Sequence, residues 1–253
     1  MQLLRMDAFL ISAASGMRAR LESLEMLANN LANQSSPGFK PDREVYSLYA
    51  APETSWPHDE STVPSPTAPV IEKHWTDFKQ GALSQTSEPF DFALNGPGFF
   101  SIRSDRGELL TRNGNFRLSK SGALETHDGY AVLDDQRKPI ILDPAKTVEV
   151  SQTAEIRQGG VVAARLGIAR VPDQSVLLKQ GGTYFRMTGA AARLEPSTET
   201  AVHQGRLENS GHSPAEGAVR LVNILRQFES LTKAVQIHAE MNHRADEVAR
   251  VSG

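Results

Sequence analysis

The 253-residue sequence contains no cysteine, which excludes disulfides, thiolate metal ligands and a cysteine nucleophile. No run of about 18 apolar residues is present, so we predict no membrane insertion. The net charge of −3 gives no basic excess, and this disfavours binding to nucleic acid. The first residues also lack the pattern of a secretory signal, because Arg5, Asp7 and Ser12 interrupt them.

Patterns typical of catalytic and metal sites are absent as well. The sequence has no Gly-x-Ser-x-Gly elbow and no glycine-rich phosphate loop ending in Gly-Lys-Ser/Thr. His238 and His243 are five residues apart, which places them roughly 140° apart around a helix, so they do not match the zinc motif with histidines four apart. We therefore predict no catalytic residues, no metal, no cofactor and no enzymatic activity.

Both ends of the chain carry the apolar spacing of a coiled coil. Steps of three and four residues connect Leu10, Ala14, Met17, Leu21, Leu24, Ala28 and Leu31 near the N-terminus. The same spacing connects Leu221, Ile224, Phe228, Leu231 and Val235 near the C-terminus. This pattern predicts two long helices, over 3–34 and 214–251, each with a seam that needs a partner.

Three asparagines lie close together at the end of the first predicted helix. Asn29, Asn30 and Asn33 are poor helix formers. They fit either a fraying last turn, with Asn33 helping to cap it, or polar positions that fix helix register in an assembly. Both interpretations stay open at this point.

The middle of the chain changes character twice. Five prolines within 51–69 predict an extended or mobile connector. From 75 to 205, short alternating runs separated by glycines predict an antiparallel meander. Asn113-Gly114 has the composition of a two-residue hairpin turn of type I′, and Asp128-Gly129 is similar.

These patterns together predict an α+β protein with a mainly antiparallel β body inserted between coiled-coil-forming terminal helices. The predicted regions are an N-terminal helix at 1–40, a proline-rich connector at 41–74, a β domain at 75–206 and a C-terminal helix at 207–253. Ser213, Pro214 and Glu216 mark the start of the last helix, as N-cap, first helical position and capping-box acid.

Three separated segments resemble the rod and hook proteins of the bacterial flagellum. The first runs from Ser15-Gly16-Met17 through Leu27-Ala28-Asn29-Asn30-Leu31 to Pro37-Gly38-Phe39-Lys40. The second includes Gly96-Pro97-Gly98-Phe99-Phe100, Thr111-Arg112-Asn113-Gly114 and Gly129-Tyr130-Ala131. The third is Gln204-Gly205-Arg206-Leu207-Glu208-Asn209, followed by the last helix.

The resemblance implies a structural subunit of the basal-body rod, which polymerises helically through its terminal helices and transmits torque. It also implies other axial proteins (rod and hook subunits) and the flagellar export apparatus as partners, and export without a cleaved signal peptide. A distal rod subunit is the first expectation, with a proximal rod subunit or a hook-type axial protein as alternatives. Outside the family, the alternative is an extracellular carbohydrate-binding β domain with a coiled-coil oligomeriser, which the aromatic content of 6% disfavours.

The expected assembly interface combines the two seams and the three asparagines. Its predicted members are Leu10, Met17, Leu21, Leu24, Asn29, Asn30, Leu31, Asn33, Ile224, Phe228, Leu231 and Val235.

Overall fold

The computed structural model describes residues 2–50, 67–188, 194–197 and 199–251. The described chain forms two compact units. Unit 1 comprises Met1–Leu31, Asp42–Thr76 and Pro214–Gly253, and unit 2 comprises Ala32–Pro41 and Asp77–Ser213. Two helices and a β body make the protein α+β, as the sequence predicts.

Unit 1 contains both terminal helices. Helix α1 spans Gln2–Ala32 and ends two residues before the predicted boundary, in the turn that leads to Pro37-Gly38. Helix α2 spans Pro214–Val251 and begins at the proline predicted for the first helical position. Neither helix, over its described residues, has an apolar stretch long enough to cross a membrane.

Two stretches of the predicted connector at 41–74 form strands. Strand β1 (Asp42–Ala50) pairs antiparallel with strand β2 (Thr67–Thr76), with an irregularity between Val45 and Tyr46. The backbone of 42–50 and 67–76 is therefore a regular two-stranded ladder in unit 1. Of the 51–69 segment predicted to be extended or mobile, only residues 67–69 lie in this ladder. Residues 51–66, which hold most of the prolines, lie outside the described part of the chain.

Unit 2 is built from short strands. They are β3 (Leu83–Gln85), β4 (Phe92–Asn95), β5 (Phe99–Ser104), β6 (Gly107–Thr111), β7 (Phe116–Leu118), β8 (Leu124–Thr126), β9 (Ala131–Val132), β10 (Val148–Val150), β11 (Glu155–Gln158), β12 (Val161–Arg165), β13 (Ile168–Arg170), β14 (Leu177–Lys179), β15 (Tyr184–Met187), β16 (Glu195–Pro196), β17 (Ala201–Gln204) and β18 (Arg206–Glu208). Every described pairing between these strands is antiparallel.

The largest sheet of unit 2 has nine strands. Its main path runs β14-β15-β6-β5-β9-β8-β7, with β13 and β16 joined at β5. A three-stranded sheet, β10-β11-β12, and the pairs β17-β4 and β18-β3 complete the unit. In the last two pairs, the final strands of unit 2 lie beside its first strands. The chain thus returns to the start of the β body before α2 begins.

Buried phenylalanines fill the interior of unit 2. Phe92, Phe100 and Phe116 belong to the larger apolar cluster, and Phe100 meets Phe116 edge to face with ring centres 5.2 Å apart. Phe99 and Phe185 belong to a second cluster, with ring centres 5.9 Å apart. Aromatic side chains are few in the sequence, and these five are concentrated where their large apolar area stabilises the fold most.

The predicted hairpin turn at Asn113-Gly114 is wrong. Strands β6 and β7 are not paired with each other, and Gly114 has no positive φ. A Cβ atom at Gly114 would lie 1.7 Å from the carbonyl oxygen of Phe92, so the glycine allows a close backbone approach instead. The Asp128-Gly129 segment does connect two paired strands, β8 and β9, and Gly129 has a φ of +85°.

Candidate assembly interface

One face of α1 is buried within the chain, and three of its five members are small residues. Gly16, Ala19, Ser23, Leu27 and Asn30 follow each other at steps of three and four and are all buried. Glycine, alanine and serine let another backbone come close to the helix. The side of α1 that the fold itself uses is therefore its small-residue side.

The predicted seam of α1 lies on a different side of the helix, about 130° away at 100° per residue. Leu21 is 50% exposed and Leu31 is 36% exposed, while Met17 and Leu24 are half-buried. Leu10 lies in α1, but its side chain is outside the described part of the structure. We call this side, formed by Ala14, Met17, Leu21, Leu24, Ala28 and Leu31, the outer stripe of α1.

The predicted seam of α2 is the more buried side of that helix. Ile224 is buried, and Phe228, Leu231 and Val235 are half-buried. A cavity of about 600 Å³ is lined from α1 by Ala13 and Gly16 among others, and from α2 by residues that include Leu231. The two helices therefore face each other along the small-residue side of α1 and the seam of α2.

Asn30 has a partner within the chain. Its side-chain amide donates to the carbonyl oxygen of Asp42 over 2.9 Å, and its side-chain oxygen accepts from the backbone N–H of Asp42 over 3.0 Å. This pair of bonds fixes the first residue of β1 against the end of α1. Asn29 is exposed and Asn33 is half-buried, so the three asparagines have different surroundings.

We expect Asn30→Ala to lower the free energy of unfolding by about 1–3 kcal/mol, because it leaves the N–H and C=O of Asp42 without these partners. Urea denaturation followed by circular dichroism measures the change. Asn223→Ala is the matched control, since Asn223 is exposed on α2 and alanine favours helix. An equal effect of the two substitutions would contradict a structural role for Asn30.

Ion pairs connect strand β1 to the first turns of α2. Arg220 donates to the carboxylate of Glu44, whose side chain is almost fully buried. The Arg43 guanidinium lies 3.7 Å from the carboxylate of Glu216. Strand β1 therefore bonds to the end of α1 through Asn30 and to the beginning of α2 through these ion pairs.

A buried ionic cluster lies in unit 2. The Lys40 ammonium is 2.5 Å from one carboxylate oxygen of Glu208, and the Arg112 guanidinium is 3.4 Å from the other. All three side chains are buried. Glu208 also accepts from the N–H of Gly81 over 2.8 Å, and Lys40 donates to the carbonyl of Lys79 over 2.6 Å. We call Lys40, Arg112 and Glu208 the buried triad.

Burial dominates the electrostatics of the triad. Desolvation lowers the pKa of Lys40, although the neighbouring Glu208 carboxylate acts in the opposite direction. Desolvation also lowers the pKa of Arg112, again opposed by Glu208. Glu208 is thus the anion that makes two buried cations tolerable, since isolated buried charges cost far more than paired ones.

Backbone hydrogen bonds beside the triad connect the segments where the chain enters and leaves unit 2. The N–H of Gly38 donates to the carbonyl of Glu208 over 2.7 Å, and that of Gly211 donates to the carbonyl of Phe39 over 3.0 Å. The N–H of Asp77 donates to the carbonyl of Pro41 over 2.8 Å. Segments that lead to α1, to the β1–β2 ladder and to α2 are therefore hydrogen-bonded at one location.

Reasoning from the sequence missed the triad as a group. Lys40, Arg112 and Glu208 lie one in each of the three segments that carry the family resemblance. Lys40 and Glu208 are 168 residues apart, so no local spacing connects them. The available signal was the co-occurrence of three charged residues in three otherwise apolar or glycine-rich motifs.

The histidines of α2 form no metal centre among the described residues. His238 shares a hydrogen bond with Asn242 over 3.2 Å, and His243 lies 3.5 Å from the carboxylate of Glu247. Over the described ranges, no three histidine or acidic side chains are grouped so that they could hold a metal ion.

Comparison with known proteins agrees with this architecture. Residues 93–164 match the model of the flagellar hook protein FlgE/F/G D1 domain, and residues 10–40 match that of the flagella basal body rod protein. The flagellar basal-body rod protein FlgF of Caulobacter vibrioides is 33% identical over 95% of this chain and 97% of its own length. The chain belongs to the flagellar basal-body rod proteins.

Other basal-body rod proteins align over similar lengths. FlgF of Rhizobium meliloti is 29% identical over 90% of this chain and 91% of its own length. FlgG of Buchnera aphidicola subsp. Schizaphis graminum is 27% identical over 90% of this chain and 94% of its own length. The resemblance predicted from three sequence segments is confirmed, and the protein is a structural subunit of the bacterial flagellar rod.

Proposed function

We propose that this rod protein polymerises with copies of itself and with other axial proteins through its terminal helices, and that the resulting rod transmits torque. The observation that carries the proposal is the outer stripe of α1. A free helix gains nothing from exposed leucines, whereas burying each one stabilises an assembly by roughly 1.5–3 kcal/mol. Leu21 and Leu31 are in that position within unit 1.

Within the rod, we propose a FlgF-type subunit at the proximal end. The FlgF relative of Caulobacter vibrioides shares 33% identity with this chain, and the FlgG relative described above shares 27%. This differs from the first expectation from the sequence, a distal FlgG-type subunit, which is retained as the alternative. Export through the flagellar type III apparatus without a cleaved signal peptide is part of the same proposal.

Exchanging Leu21 and Leu31 together for aspartate should abolish swimming, because charges on the outer stripe would oppose helix packing between subunits. The helix itself should persist, since both side chains are exposed in the single chain. Swimming in soft agar, measured in the source bacterium with its own gene copy replaced, reports assembly. Leu178→Asp is the matched control, because Leu178 is 53% exposed on β14 in unit 2.

A strain with a tag in this protein shows where the subunit lies. A tag inserted between Gly159 and Gly160 enters an open turn, where an added Cβ atom meets nothing within 4 Å. In cryo-electron microscopy of purified basal bodies, a FlgF-type subunit places the tag at the proximal end of the rod. Density on the distal rod would support the FlgG alternative, and full motility of the Leu21, Leu31 variant would contradict the assembly proposal.

A further inference from the structure

The core of unit 2 depends on residues from both ends of its sequence. Strand β17 pairs with β4 and β18 pairs with β3, so residues 201–208 lie beside residues 83–95. This contact belongs to the main core, because Val202 is buried in the same apolar cluster as Phe92 and Leu94. The core of unit 2 is therefore incomplete until the chain has been made as far as β18.

The buried triad requires the same late segment. Lys40 and Arg112 both contact the carboxylate of Glu208, over 2.5 and 3.4 Å. The backbones beside the two cations are also close, since a Cβ atom at Gly38 would lie 2.3 Å from the carbonyl carbon of Arg112. Two buried cations are thus held by one acid, which follows them in the sequence by 168 and 96 residues.

Without Glu208 this arrangement is electrostatically unfavourable. Burial lowers the pKa of Lys40, the Glu208 carboxylate raises it, and the Arg112 guanidinium lowers it. Asp77 acts in the same direction as Glu208, but less strongly. A chain that has not yet gained Glu208 would have to bury two cations that repel each other, and an unpaired buried charge is strongly destabilising. We therefore expect residues 38–40 to stay away from Arg112 until Glu208 arrives.

We propose that residues 201–208 close unit 2 after the rate-limiting step of its folding, when local hairpins such as β5–β6 and β7–β8 have already formed. Short hairpin loops cost less closure entropy than the Lys40–Glu208 contact, which joins residues 168 positions apart. The repulsion between Lys40 and Arg112 acts in the same direction, since it opposes closure before Glu208 is in place.

Late closure has a consequence for export, and that consequence rests on the proposed function. A chain that passes through the flagellar export apparatus is easier to thread while it is open. Because Glu208 lies near the end of the sequence, unit 2 stays open during most of synthesis. The triad then stabilises the closed unit once folding is complete.

Two residues of the same apolar cluster form a matched test in the full chain. Leu124 on β8 belongs to a local hairpin and Val202 to the late segment, and both are almost fully buried. Leu124→Ala should slow refolding by about fivefold or more, whereas Val202→Ala should leave refolding within about twofold and speed unfolding by roughly tenfold. Pulsed hydrogen exchange with mass spectrometry measures both rates on peptides of unit 2, separately from those of α1 and α2.

Glu208→Gln should behave as Val202→Ala does. Refolding should stay within about threefold of the wild type, and unfolding should become roughly 10²–10³-fold faster, because the triad forms after the rate-limiting step. Refolding of either variant slowed as much as that of Leu124→Ala would overturn the inference, and so would unchanged refolding of Leu124→Ala.

The refolding rates separate this inference from the proposed function, because they do not depend on the flagellum. Normal swimming of the Leu21, Leu31 variant would contradict the proposed function and leave the order of folding unaffected. An early contact of Glu208 in refolding would overturn the order of folding and leave assembly through α1 unaffected.

Discussion

Replacing Glu208 with glutamine should lower the free energy of unfolding by about 3–5 kcal/mol, the range for removing one partner of a buried ion pair. Glutamine keeps the size of the side chain but removes the charge that faces Lys40 and Arg112. Both cations are buried, so water cannot replace the lost anion. Urea denaturation of the purified chain, followed by fluorescence and circular dichroism, measures the change.

An exposed ion pair supplies the control for Glu208. The Arg170 guanidinium is 3.4 Å from the carboxylate of Glu199, but both side chains are exposed, so Glu199→Gln should change stability by about 0–1 kcal/mol. Adding Lys40→Met to Glu208→Gln should recover part of the loss, because it removes one uncompensated buried charge. A loss for Glu208→Gln no larger than the control would show that the triad is not electrostatically coupled.

Local patterns predicted the positions of the secondary-structure elements well. The sequence Ser213-Pro214 placed the start of α2 correctly, because capping chemistry depends on a few adjacent residues. The short strands of unit 2 were found from alternation and glycine turns, which are equally local. Strands β3 to β17 all lie within 75–205, where those patterns predicted antiparallel β structure.

Features that depend on distant residues were not predictable in this way. The β1–β2 ladder pairs Asp42 with Thr76. Neither strand was predicted, because the pairing joins residues on the two sides of the proline-rich segment. The triad joins residues up to 168 positions apart. On α1, spacing favoured the side with leucines, whereas the chain buries the side with Gly16, Ala19 and Ser23, because small residues allow the closest packing.

Asn30 shows how a candidate interface residue can have a role inside the chain. The sequence suggested either a frayed turn or a register position in the assembly. The side-chain nitrogen of Asn30 donates to the carbonyl of Asp42, and its side-chain oxygen accepts from the N–H of Asp42, so Asn30 connects α1 to β1. The side chain of Asn30 bonds backbone groups at the start of a strand, and a contact of this kind is visible only in the tertiary structure.

Changing Gly114 to alanine should destabilise the protein by more than about 3 kcal/mol, beyond the usual effect of overpacking a core. The new Cβ atom would lie 1.7 Å from the carbonyl oxygen and 2.7 Å from the carbonyl carbon of Phe92. These are backbone atoms of a fully buried residue, so no side-chain rotation relieves the contact. The backbone must move, although the N–H of Phe92 donates to the carbonyl of Gly114 over 3.0 Å.

Gly129→Ala is the comparison that separates the effect of a steric collision on stability from the effect of backbone strain. Gly129 has a φ of +85°, but an added Cβ atom meets nothing within 4 Å, so Gly129→Ala should cost about 1–2 kcal/mol. Gly114 has an ordinary negative-φ backbone, so its larger loss comes from the collision alone. Thermal denaturation of both variants measures the difference. Equal losses would mean that the strand at Phe92 yields easily, and that the close approach of 91–92 to 114–115 does not hold unit 2 together.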